Sequence, residues 1–285
     1  MSRMTSLAVA AGLAATMSLS SLPSATAAVS AAAEPTAEIC TSATHPTLAR
    51  KLSADIQTAL QGRASSYGLA VYDEKKKLTC GLNADWQNQT ASVIKVMIAG
   101  TLLRMTRVEQ NRFLTPEEDA DAIKMITESD DAAASRLWVK VGMGRLNEFV
   151  RLTGMNATVL RTDGWWGRSL FTANDQLKML RTLDRPNDVL PDRCRTYILD
   201  LMAKVVPDQR WGTPAGAPSA VKVYVKNGWM SRGDENAWYI NSDGLFTGAN
   251  HHYGMSVLTV KNQSMPYGIE TVERVARAVH RHLGA

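Results

Sequence analysis

The sequence contains no Cys-x-x-Cys pair and no His-Glu-x-x-His segment. Its five histidines (His45, His251, His252, His280 and His282) form no ligand cluster, so neither a metal site nor another cofactor is expected. Cysteine is scarce. Cys40, Cys80 and Cys194 are the full set, and three cannot all pair within one chain. A Cys40–Cys80 bridge is the favoured arrangement, because it would tie the N-terminal arm to the first hairpin; three buried thiols is the competing one. A long basic run is also lacking. The formal net charge of +5 is spread over interspersed acids and bases, which argues against a nucleic-acid partner and is compatible with a mild attraction to acidic envelope polymers. Beyond the N-terminal region no apolar stretch has the length of a membrane span, and there is no internal repeat.

The N-terminus itself reads as a secretory signal over residues 1–27. Arg3 supplies the positive end, Leu7 to Leu22 is mostly apolar and small, and Ala25-Thr26-Ala27 fits the A-x-A cleavage pattern. A soluble exported monomer is the expectation. Residues 28–44, rich in Ala, Ser, Thr and Glu, read as a flexible arm. The remainder, 45–285, is long enough for one large domain.

Leu48, Leu52, Ile56 and Leu60 recur at helical spacing. Strands are expected over Gly68–Tyr72 and Leu78–Leu82, with a charged turn between. The middle is helical: Thr115-Pro116-Glu117-Glu118 carries a capping-box spacing, Thr172 caps another helix, and Cys194–Val206 forms a third. A loop from Asn156 to Leu170 interrupts the helices. Strands return at Val221–Trp229, Ala237–Ile240 and Tyr253–Val260, and a helix from Ile269 to Leu283 closes the chain. The expected fold class is α/β: a five-stranded antiparallel sheet flanked by helices (45–90 and 207–285), with an inserted all-α lobe (91–206) and a cleft between the lobes.

One stretch organises the rest. Ser92 stands at the mouth of an almost wholly apolar run that reads as a helix, and Lys95 follows three residues later. On a helix such residues share a face. A lysine inside an apolar helix loses water and its pKa falls, and a neutral lysine beside a hydroxyl makes a nucleophile with its base. The bland alternative is an N-cap before a core helix. Ser219-Ala220-Val221-Lys222 has the same spacing, but its alternating valines read as a strand, which would send the two side chains to opposite faces.

Two more short segments follow: Ser129-Asp130-Asp131, otherwise a helix-ending turn, and Lys226-Asn227-Gly228, otherwise an exposed strand end. In this order the three segments resemble the Ser-x-x-Lys, Ser-Asp-Asn and Lys-Thr-Gly set of class A β-lactamases and penicillin-binding proteins. The resemblance spans nearly the whole chain after the signal. It implies that Ser92 attacks a carbonyl, Lys95 takes its proton, and Ser129 passes a proton to the departing nitrogen. Lys226 would hold a substrate carboxylate and help keep Lys95 neutral. Gly228 would let substrate lie close to the strand, and the N–H groups of Ser92 and Trp229 would hold the oxyanion. No Gly-x-Ser-x-Gly elbow surrounds Ser92, which separates the chain from generic esterases.

The departures are informative. Asp131 replaces the family's asparagine and could pair with Lys95, raising its pKa. Asn227 replaces threonine or serine. The small hairpin usual before Thr115 has no room. In the Asn156–Leu170 loop the glutamate that positions the deacylating water is missing, and Asp163 is the loop's one carboxylate. Trp165-Trp166, flanked by glycines, reads as a cleft rim. The expected activity is a serine hydrolase acylated at Ser92 by an amide or ester, such as a β-lactam or a cell-wall peptide, with slow lactam deacylation. The alternatives are a β-lactamase with a relocated base and a non-catalytic binding descendant.

Overall fold

The computed structural model describes residues 38–233, 237–248 and 250–284. The expected signal, 1–27, and the first part of the expected arm lie outside these residues. Among the described residues the strands are β1 (Cys40–Ser42), β2 (Ser66–Asp73), β3 (Leu78–Leu82), β4 (Asn88–Gln89), β5 (Leu170–Phe171), β6 (Lys222–Arg232), β7 (Ala237–Gly248) and β8 (His251–Asn262). The α-helices are α1 (Pro46–Leu60), α2 (Ile94–Arg104), α3 (Pro116–Thr127), α4 (Asp131–Thr153), α5 (Ala173–Asp184), α6 (Asp192–Ala203) and α7 (Met265–Leu283). None of them is long and apolar enough to cross a membrane.

The main sheet runs β1-β3-β2-β8-β7-β6, with every neighbouring pair antiparallel. It has six strands rather than five. The extra one, β1, falls in the segment expected to be a flexible arm. Ile39 and Cys40 are buried, Cys40 pairs in register with Cys80, and a disulfide joins the two. The composition of 28–44 conceals this, because the pairing and the covalent link come from residues far along the chain. Cys194 stays a free, buried thiol. A small second sheet pairs β4 with β5 and so fastens the segment before Ser92 to the end of the 156–170 loop.

Alternation along the strands assigns each side chain to one of two cores. Leu69, Val71, Ile240, Phe246, Met255 and Val257 pack with α1 and α7, where Val272, Val275, Val279 and Leu283 form the buried stripe. Ala70, Tyr72, Tyr224, Leu245 and Leu258 belong to the core of the helical lobe. Lys226 and Asp243, directly opposite one another on β6 and β7, fall on this second face. In the helical lobe every residue of α2 from Ile94 to Leu103 is buried, Lys95 included. The capping box at Thr115 and Glu118 forms as expected. Gly142, at φ +75°, breaks α4; a glycine takes that conformation without steric cost.

At Gly228, β6 comes against the turn that carries Ser92. A Cβ there would sit 2.7 Å from Ser92 N, 2.9 Å from Val93 N and 3.0 Å from Thr90 O. All three are backbone atoms. The glycine is therefore required by the nucleophile's own turn, not only by room for a substrate. Gly228→Ala should push β6 away from that turn and cost about 1–3 kcal/mol as overpacking does, lowering Tm by several degrees in a domain of this size. An unchanged Tm in thermal denaturation would show that the strand moves off the turn freely.

Candidate active site

Ser92 lies in a tight 3₁₀ turn, Ala91–Val93, that runs into α2. Ala91 before it has φ +45°, a left-handed conformation unusual for a side-chain-bearing residue. Such strain persists only where the surroundings impose it. Here they do so from two sides. Thr90 N–H donates to Ser169 O at 2.9 Å and its hydroxyl to Gly167 O at 3.2 Å. From the sheet, buried Asn241 donates to Gln89 O at 2.8 Å and Thr90 O at 3.1 Å. Asn241 is a site-building residue that the sequence analysis missed; a lone asparagine within a strand gave no sign of what it holds.

Ser129 is reached differently. It also takes a positive φ, +60°, between the end of α3 and the start of α4. Asp130 caps α4 by accepting from Ala133 N–H at 2.6 Å, and Asp131 is the helix's first residue. The bend brings the Ser129 hydroxyl between two lysines. Lys95 Nζ lies 3.1 Å and Lys226 Nζ 3.0 Å from Ser129 Oγ. Lys95 also donates to Ser129 O and to Asp131 Oδ1, each at 2.6 Å. Lys226 also donates to Asn227 O at 2.8 Å.

Donor counting separates the lysines. An ammonium has three N–H donors, and Lys95 has three acceptors, one of them a carboxylate. Burial lowers the Lys95 pKa, and the Asp131 hydrogen bond and charge oppose that fall. Lys226 is fully buried, and desolvation followed by the Lys95 charge hold it well below the ordinary lysine range. Both amines are thus pushed below the ordinary lysine range, and the Lys95 charge adds to the fall of Lys226. The two differ in their partners: Lys226 is fully buried, whereas Lys95 has the exposed carboxylate of Asp131 beside it. Asp243, opposite Lys226, is itself fully buried, and desolvation pushes its pKa up to about 7.

Several expected contacts are not made. Among the described residues no hydrogen bond joins Ser92 to Lys95, whose donors all point to Ser129 and Asp131. The Asn227 side chain is on the opposite face of β6 from Lys226, where it donates to Gln209 O at 2.8 Å and Trp211 O at 2.9 Å. Alternation along the strand decides this, so Asn227 is a structural clamp rather than a substrate-binding group. Ser92 and Trp229 line one open cleft of about 580 Å³, together with Asp131, Asp163, Trp165 and Trp166. β6 is the free edge of the sheet, so alternate N–H groups along it are left unpaired by β7. Trp166 covers Lys95, its ring centroid 5.0 Å from Nζ, and donates its indole N–H to Ser135 at 3.1 Å. Asp163 is on the rim, but it is bonded to the Arg161 guanidinium and accepts from Trp165 N–H at 3.2 Å. The Arg161 bond holds its pKa below the usual carboxylate range.

Comparison with known proteins fits this geometry. A sequence model of the beta-lactamase enzyme family matches residues 122–283, more than half of the chain. No curated protein matches it. Solved structures share the fold at low identity. A class A beta-lactamase representative from Bacteroides cellulosilyticus superposes with a TM-score of 0.71 at 16% identity, covering 82% of this chain and 97% of its own. A beta-lactamase from Sphaerobacter thermophilus gives 0.70 at 16%, covering 82% and 97%. A class A beta-lactamase from Mycobacterium abscessus gives 0.68 at 20%, covering 81% and 99%. With the sheet, the inserted helical lobe and the serine–lysine cleft in place, the chain belongs to the beta-lactamase enzyme family and is a serine hydrolase.

Proposed function

We propose that the protein is an exported enzyme that is acylated at Ser92 by a β-lactam or a peptide of cell-wall type and releases the acyl group slowly. The observation that carries the acylation half is Ser129 Oγ held between two buried lysine amines. In this reading Ser92 Oγ bonds to the substrate's carbonyl carbon and its proton passes to Lys95 once that amine is neutral. Lys95 reaches the neutral state by losing its extra proton to solvent, which burial of the amine favours. The C–N bond then breaks, and Ser129 gives its proton to the leaving nitrogen and regains one from the amine pair. The N–H groups of Ser92 and Trp229 would receive the oxyanion. Export is supported by the signal-like N-terminus and by the Cys40–Cys80 disulfide, which suits an oxidising compartment.

Slow release follows from the state of the carboxylates. Deacylation needs a base that aims water at the acyl carbonyl. Asp131 is bonded to Lys95, and Asp163 is bonded to Arg161 with a lowered pKa, which makes each a poor base. A positioned general base typically contributes about 10²–10⁴-fold, or roughly 3–5 kcal/mol of barrier. The wild-type protein incubated with benzylpenicillin should show one persistent adduct by intact-mass spectrometry, and Ser92→Ala should show none. Rapid turnover without an observable adduct would remove the slow-release half of this reading; if that turnover vanished in Asp163→Asn, Asp163 would be the relocated base.

The pH dependence tests the lysine assignment. Acylation requires neutral Lys95, so its rate rises with pH through the Lys95 pKa. Asp131 raises that pKa by its hydrogen bond and its charge. Asp131→Asn removes both, the pKa falls further, and the rising limb of the labelling rate should move to lower pH. A limb that stays in place would assign the titration to another group.

A further inference from the structure

The charges in the cleft do not balance. Asp131 is paired with Lys95 at 2.6 Å, and Asp163 is paired with Arg161. Arg168, which lines the same cleft, has no ion-pair partner among the described residues. Its guanidinium carbon lies 4.7 Å over the Trp165 ring, and that tryptophan is 61% exposed at the rim. A guanidinium stacked on an indole is held in place with its edge donors uncommitted, the arrangement that receives a carboxylate through two parallel hydrogen bonds. Arg168 also borders an adjoining cavity of about 360 Å³ that Arg161 and Arg232 line as well, with no acidic residue among its described lining.

At the other end of the site the polar groups already have partners. Lys226 is fully buried and already bonded to Ser129 and Asn227 O, and the Asn227 amide is taken by two backbone carbonyls. The open cleft runs from Ser92 along the 163–168 loop and is not lined by Ser129. The leaving group belongs at Ser129, so the part of the substrate that stays on Ser92 fills the cleft.

We infer that Arg168 forms an anion subsite, and that the preferred acyl donors of this enzyme carry a carboxylate on the acyl portion. This rests on Ser92 being the acylated nucleophile. The test uses two esters with one leaving group, mono-4-nitrophenyl adipate and 4-nitrophenyl hexanoate, with labelling of Ser92 followed by intact-mass spectrometry. The wild-type protein should prefer the adipate ester by about tenfold or more, the yield of one charge-assisted contact. In Arg168→Gln the ratio should fall to about one, and Arg168→Lys should keep part of it, since an ammonium lacks the planar fork. No preference in the wild type, or a preference that survives in Arg168→Gln, would overturn the assignment. A second arm needs no acylation. Free adipate should raise the Tm of Ser92→Ala more than hexanoate does, and the difference should disappear when Arg168→Gln is added. If neither ester labels the wild type, the acyl-enzyme reading fails, and the Tm difference alone decides whether Arg168 binds the acid.

Discussion

The site depends on one electrostatic constraint: two lysine amines are buried on either side of a single hydroxyl. Like charges so close in a low-dielectric interior repel strongly, so the pair cannot both stay ionised without compensation. The chain resolves this asymmetrically. Lys95 receives a carboxylate at 2.6 Å and two oxygens of Ser129. Lys226 has no ion-pair partner among the described residues, and burial holds its pKa well below the ordinary lysine range. Asp243 opposite it is raised to about 7 by the same burial, so the sheet side of the site tends toward neutral groups.

The surrounding fold serves to hold that arrangement. Ala91 and Ser129 both have left-handed backbone conformations, and each adjoins or is a serine of the site. Strain of this kind typically costs on the order of 1–3 kcal/mol per residue. It is sustained by contacts from separate parts of the chain: Asn241 on β7, the carbonyls of Gly167 and Ser169 on the loop, and the close approach of β6 at Gly228. The β4–β5 pairing adds a further tie between the Ser92 segment and the loop. The nucleophile is thus positioned by both lobes at once.

The same loop sets what the site can do after acylation. It is short and tryptophan-rich, and its one carboxylate is spent on Arg161. Its second arginine, Arg168, is stacked rather than paired. Toward the cleft the loop presents an aromatic wall, Trp165 and Trp166, and the cation of Arg168.

The sequence by itself determined the periodic features. The apolar helix around Lys95, the capping box at Thr115, the valine alternation of β6 and the stripe of α7 are all local, and local sterics and amphipathicity suffice to read them. The motif spacing likewise brought Ser92, Lys95, Ser129 and Lys226 into view, because each sits at a fixed place on its own element. Tertiary structure decided everything that depends on distant partners. β1 exists because Cys80 and the edge of β3 lie beside Cys40. Alternation turns Asn227 away from the cleft, but that its amide clamps the carbonyls of Gln209 and Trp211 is decided by where that distant segment packs. How each lysine's pKa is shifted follows from burial depth and from where Asp131 points, and neither is encoded in any spacing along the chain, since desolvation and Coulomb energy depend on what surrounds a group in space.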